Sequence, residues 1–227
     1  MEILPAITTI FDWQSKVEEI KKIGLEEVAL FPTCLNPRER GKLYDLLKGT
    51  KIKKIPFVHL RSDMAKDEIY YLIKNYHTRV FNMHTKREYP YPPDCQEYRD
   101  MIYIENTYDP FDEKEIQEFA GICLDFAHLA NSKIFKSDMY SHNIKLIEKY
   151  GCGCNHVAPA KNYSIFEKEV KLSEGQHAHI LDNLSELDYL KEFPKKYFGK
   201  FVALELENSI KEQLEAKNYI SGIIKIA

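Results

Sequence analysis

Asp125 closes the short apolar run Ile122-Cys123-Leu124, and His128 follows three residues later. Five other short, mostly apolar stretches end in a residue that can bind a divalent metal: His59, His84, Glu105, His156 and Glu205. Each has an ordinary explanation when taken alone. A single histidine at a strand end is commonly a hydrogen-bonded structural residue. A single glutamate can cap the next helix or pair with a lysine. Six such ends meeting at one place would be costly to bury unpaired, whereas a divalent cation satisfies carboxylates and imidazoles together.

To meet, these residues must stand at the C-terminal ends of neighbouring strands, where α/β sheets and barrels place their chemistry. The chain has the length and rhythm for this. Its 227 residues, 44% hydrophobic, allow one core and one domain spanning residues 1–227. Glu2 to Ile7 reads as a strand, followed by a helix capped by Asp12, with Val17, Ile20 and Ile23 turned inward and Gly24 as its stop. Glu27 to Phe31 is the next strand, and Asn36-Pro37 opens a helix with the stripe Leu43, Leu46 and Leu47.

The alternation continues with a strand over Ile55 to His59, a helix from Asp63 carrying Ile69, Leu72, Ile73 and Tyr76, and a strand over Arg79 to His84. Thr85 to Arg99 has prolines, tyrosines and no helical period, so it reads as a long loop on the chemical side. Its Tyr89, Tyr91 and Tyr98 could stack on a sugar or pack on the rim. Met101 to Glu105 is the fifth strand, a short helix starts at Asp112, and Ile122 to Asp125 is the sixth, turning at once into a loop. Ser137 to Tyr150 is a helix, Cys152 to Val157 the seventh strand, and a loop with Gly175, His177 and His179 leads to a helix capped near Ser185. Phe201 to Leu206 and a helix from Ser209 complete eight strand–helix units, the pattern of a single (β/α)₈ TIM barrel. A doubly wound sheet usually carries a glycine-rich turn after its first strand, and here that turn is Thr8-Thr9-Ile10-Phe11.

Strand parity places Tyr103 with Glu105, Cys123 with Asp125, Cys154 with His156 and Ala203 with Glu205 on one face. Ile104, Leu124 and Leu204 then face the helices. Glu207 shares the parity of Glu205 but lies farther out, so Glu205 is the preferred ligand. Cys152-Gly153-Cys154 is read as core packing, and His77 and His142 as solvated helix residues.

A net charge of −3 gives no electrostatic reason to expect a nucleic-acid partner. Five cysteines without a CxxC spacing, and no apolar leader, point to reduced thiols in a cytoplasmic protein. No stretch approaches the apolar length of a membrane span. Oligomeric state is not legible.

The motifs Ile104-Glu105-Asn106, Cys123-Leu124-Asp125-Phe126-Ala127-His128, Asn155-His156-Val157-Ala158-Pro159-Ala160-Lys161 and Leu204-Glu205 resemble, in order and spacing, those of the xylose isomerase-like TIM barrels. That superfamily contains sugar and sugar-phosphate isomerases and epimerases as well as the endonuclease IV group. The resemblance implies that Glu105, Asp125, His156 and Glu205 hold one divalent metal, whether Mn, Zn, Co, Mg or Fe. It further implies an isomerase or epimerase of a small sugar, sugar phosphate or polyol. In such an enzyme Glu105 and Glu205 move a proton beside a metal-bound carbonyl, and His128 binds a substrate oxygen or orients a ligand. Lys161 and Arg61 are candidates to stabilise developing or phosphate charge.

The endonuclease branch uses additional histidines to hold more metals. His59, His84 and the Gln176-His177-Ala178-His179 loop match these, with His177 where that branch has an aspartate. A multinuclear phosphodiesterase is therefore the alternative, with His59, His84, His128, His177 and His179 as additional ligands. A barrel that binds without turnover is the third reading.

Overall fold

In the computed structural model, residues 1–161 and 179–226 are described. Nine parallel strands form one nearly closed barrel, with helices between them. The strands are β1 (Glu2–Leu4), β2 (Ala6–Thr8), β3 (Ala29–Phe31), β4 (Phe57–His59), β5 (Val80–Met83), β6 (Ile102–Glu105), β7 (Gly121–Asp125), β8 (Cys152–Val157) and β9 (Phe201–Leu204). Their order is β1-β9-β8-β7-β6-β5-β4-β3-β2.

The expected eight strands become nine because the first is divided at Pro5, which has no N–H to donate to a ladder. On one side of Pro5, Glu2–Leu4 pair with Phe201–Ala203; on the other, Ala6–Thr8 pair with Ala29–Phe31. One short segment thus serves both edges of the sheet.

Alternation along the strands creates two apolar layers. Leu4, Ala6, Ala29, Phe31, Phe57, Cys123, Cys154, Phe201 and Ala203 pack together inside the barrel. Ile3, Ile7, Leu30, Val58, Ile104, Leu124, Val202 and Leu204 pack outward against the helices. This is the parity expected from sequence; Cys154 packs in the interior as expected, joined by Cys123, while Cys152 is half-buried against the outer layer.

The helices are α1 (Trp13–Ile23), α2 (Pro37–Leu47), α3 (Lys66–Tyr76), α4 (Glu113–Glu118), α5 (Phe126–Phe135), α6 (Ser137–Tyr150) and α7 (Ile210–Ile226). Asp12 caps α1 by accepting from the Ser15 N–H, and Gly24 ends it at φ 79°. Asn36 and Glu39 form a reciprocal capping box on α2.

The buried faces differ from the expected stripes. Ile23 and Leu46 are exposed, while Trp13, Lys16, Arg40 and Tyr44 are buried. The expected loop after the sixth strand is instead α5, because Asp125 Oδ1 accepts from the His128 N–H at 2.7 Å and caps a helix. The long segment after β5 contains a 3-10 helix, Cys95–Met101, and a second, Leu184–Glu192, stands where a helix near Ser185 was expected. Among the described residues no helix is long and apolar enough to cross a membrane.

Candidate metal centre

Glu105, Asp125, His156 and Glu205, at or just past the C-terminal ends of β6, β7, β8 and β9, offer ligand atoms that all lie within 4.8 Å of one another. His59, His84 and Glu105 form a second set under the same limit, so Glu105 belongs to both. His156 Nδ1 lies 3.3 Å from Glu105 Oε1 and 3.4 Å from Glu205 Oε2. On the other carboxylate oxygen, Glu105 Oε2 is 3.2 Å from His59 Nε2 and 3.8 Å from His84 Nε2. The two oxygens of one side chain therefore address two histidine groups.

Neighbouring residues orient these ligands. His59 Nδ1 donates to the Leu60 carbonyl at 2.8 Å, which fixes the tautomer and leaves Nε2 facing Glu105. Glu88 stands against His84 on the other side of the ring, its Oε2 2.7 Å from Nδ1, while His84 Nε2 faces Glu105. Asn82 donates to Glu105 Oε2 at 2.5 Å. Asn106 clamps the next strand end: its Nδ2 donates to the Asp125 carbonyl at 2.9 Å and its Oδ1 accepts from the Asp125 N–H at 2.8 Å. Beneath the cluster, the His156 ring rests on Phe31 at 4.8 Å and Phe57 at 5.4 Å, between centroids.

A cation fits this arrangement. Asp125 Oδ2 and both ring nitrogens of His156 are buried with no hydrogen-bond partner among the described residues. Orphaned buried polar atoms of this kind are costly unless something neutralises them. The donors are carboxylate oxygens and imidazole nitrogens, a set suited to Mn, Fe, Co or Zn.

The electrostatics of the bare cluster are strained in the same sense. Burial, followed by the charges on Glu205 and Glu105, pushes the Asp125 carboxyl up to about 7. Burial would also raise Glu205, but His179 and His156 overcome it and hold that carboxyl down to about 2. Glu105 falls well below the carboxylate range despite burial, through His156 and His84. Burial opposes charging of His156, yet Cys123 and Glu105 raise it well above an ordinary histidine. His128 is lowered to about 4, chiefly by burial.

His179 stands beside the centre, with Nδ1 3.1 Å from the Glu205 carbonyl and 3.8 Å from its Oε1. The His128 ring packs edge-on against Tyr108 at 5.3 Å. His177 lies outside the described residues. Lys161 Nζ is engaged by Asp182 at 2.8 Å and Glu186 at 2.7 Å, and it lines a separate cavity of about 740 Å³ with Asn131, Asn183 and Tyr189. Glu207 is drawn to the buried Lys16, 2.6 Å away, while Glu205 joins the cluster.

His142 is an exposed residue of α6, as expected, and its Nε2 bonds the Phe111 carbonyl at 2.9 Å. Of the loop tyrosines, Tyr89 lies 5.3 Å from the His84 ring and lines a cavity at the centre together with Tyr91, whereas Tyr98 packs on the outer core. Reading the sequence missed Asn82, Glu88 and the part played by Asn106. Asn82 was within reach, because it shares inward parity with His84 on the same strand.

No protein-family model matches this chain, and no curated protein does. Among solved structures, an uncharacterized protein from Parabacteroides distasonis is similar at 13% identity and TM-score 0.48, covering 96% of this chain and 98% of that one. A structure described as the probable 3-DHS dehydratase AsbF involved in petrobactin synthesis, from Bacillus anthracis, is similar at 13% identity and TM-score 0.43, with the same coverage. Likeness at this level assigns no activity.

Proposed function

We propose that this chain is a divalent-metal phosphodiester hydrolase in which the two residue groups that share Glu105 would each hold a cation. The observation that carries this reading is the sharing of Glu105 between two candidate ligand sets. Such a pair of cations would supply Lewis acidity toward phosphoryl oxygens and a nucleophile at neutral pH.

The chain's own residues have distinct parts. Glu105 spaces the two positions. Asp125, His156 and Glu205 complete one, and His59 and His84 complete the other. Burial lowers His128 to about 4, so it is uncharged at neutral pH and is a candidate ligand for a further ion. His179, beside Glu205, is the other candidate for that third position. His59 and His84 support this reading through their resemblance to the additional histidines of the endonuclease IV branch. The adjoining cavity, about 280 Å³, and the net charge of −3 favour a small substrate over a duplex.

A second reading has an observation of its own. The set Glu105, Asp125, His156 and Glu205 stands without His59 and His84, and two of its carboxylates flank His156. That is the arrangement an isomerase or epimerase of a small sugar or sugar phosphate would use, with Glu105 and Glu205 moving a proton. Metal analysis of protein purified without chelator or histidine tag separates the two. Two or three zinc or iron ions per chain, with hydrolysis of bis(p-nitrophenyl) phosphate, are expected. One manganese, cobalt or magnesium ion and no hydrolysis would transfer the assignment to the isomerase. Absence of any metal uptake would leave a binding barrel.

A further inference from the structure

We infer that a separate anion-recognition pocket built on Arg61 adjoins the metal centre and holds a phosphate or carboxylate group of the substrate other than the one that reacts. This rests on the hydrolase reading for its place in the reaction, but its own evidence is independent of metal. The cavity of about 280 Å³ is lined by His59, His84 and Glu205 of the candidate centre together with Arg61, Tyr91 and Pro92. Among the described lining residues Arg61 is the one permanent cation, and Glu205, which belongs to the cluster, is the one acid. The carboxylate that pairs with Arg61, Asp63, lies outside the lining.

Arg61 is also held in place. Its Nε donates to Asp63 Oδ1 at 2.9 Å, and its Nη1 donates to the Thr33 carbonyl. Its remaining donors, both on Nη2 included, have no partner among the described residues. Asp63 is in turn fixed by Arg40 Nη1 at 3.1 Å. Arg40 is fully buried and grips Glu68 with both Nε, at 2.7 Å, and Nη2, at 2.9 Å. Tyr44 ties down the same Glu68 through a 2.6 Å hydrogen bond.

A network anchored on the buried Arg40 serves to orient what stands at its outer end. Arginine with free donors in one plane suits a two-oxygen contact with carboxylate or phosphate, and prior fixation lowers the entropy lost on binding. On sequence alone Arg61 was a candidate to stabilise developing or phosphate charge. Its place in the cavity lining, outside both candidate ligand sets, assigns it to a non-reacting anionic group and so to specificity.

The test titrates the full chain, chelated and zinc-loaded, with inorganic phosphate and with acetate by calorimetry, in wild type, Arg61→Gln and Arg61→Lys. Arg61→Gln is expected to weaken one probe at least tenfold and Arg61→Lys to lie between, while zinc stoichiometry stays at the wild-type value in both. Loss confined to phosphate identifies a second phosphoryl group; loss confined to acetate identifies a carboxylate. Equal affinity of wild type and Arg61→Gln for both probes, or no binding by wild type, overturns the proposal. If Arg61→Gln does not fold, a wild-type affinity in Arg61→Lys that is insensitive to salt overturns it equally. Failure of the wild type to take up zinc sinks the hydrolase reading alone, since the chelated titration still reports on Arg61.

Discussion

Glu105 is the residue on which both ligand sets depend, and its two oxygens divide between them. Glu105→Gln keeps the volume but removes the charge that, on the hydrolase reading, each cation would need. The expected outcome is loss of both cations and of activity, measured by elemental analysis and hydrolysis. His84→Ala should remove one cation and leave the other, a difference in stoichiometry that a merely packing role for His84 would not produce.

The same residues give the chelated protein a defined response to pH. Asp125, raised to about 7, contributes stability that is complete below its unfolded value near 4 and is lost as pH rises through about 7. His156 and His84 are raised, so theirs is present below about 6.5 and is lost at higher pH. Glu105 and Glu205 are lowered, and their contribution is lost only in acid. His128 gains stability between about 4 and 6.5. Asp125 completes its loss by about pH 7, and His156 and His84 lose theirs above about 6.5. Thermal melts of chelated protein should therefore fall as pH rises above about 6.5, and saturating zinc should offset the fall. A chelated melt that rises with pH would contradict the described cluster.

At the scale of elements, strand ends have to be held level for their side chains to share a cation. Asn106 does this between β6 and β7 by satisfying both backbone groups of Asp125. Asn106→Ala leaves those two buried groups unpaired, at about 1–3 kcal/mol each, and should weaken metal binding by roughly 10–100-fold. Denaturant unfolding and metal titration read the two effects separately.

Below, β8 and β9 depend on close approach. A Cβ on Gly199 would overlap the Gly153 backbone, and one on Gly153 would overlap the Tyr103 ring. Gly199→Ala should cost about 1–3 kcal/mol or more in a urea melt, because the obstructing atoms are main chain.

For the whole molecule, barrel closure rests on the segment around Pro5, which pairs β9 before the proline and β3 after it. Removing residues 1–4 would leave β9 with an unpaired row of N–H and C=O groups. Concentration-dependent association, followed by light scattering, is the expected result. A monomeric truncated chain would show that closure at this seam is dispensable.

Much of this was legible in the sequence, for local reasons. Parity along each strand is a property of the backbone, so the inward set Glu105, Asp125, His156 and Glu205 could be read from alternation with Ile104, Leu124 and Leu204. Caps at Asp12 and Asn36 and the stop at Gly24 are equally local. Other features depended on what packs against them. Ile23 and Leu46 were assigned to the core on spacing, whereas the neighbouring elements bury Lys16 and Arg40 instead. The helix after Asp125 was missed because its start is decided by a single carboxylate that is also a candidate ligand.

The sequence by itself determined the order of the strand ends and the ligand types they carry. Only the tertiary structure decided that Glu105 joins two sets, that Glu205 joins while Glu207 turns to Lys16, and that Arg61 faces a cavity while Lys161 is tied to Asp182 and Glu186. The reason is physical: these relations run between residues far apart in the chain, set by strand register and barrel closure, which no local pattern of residues encodes.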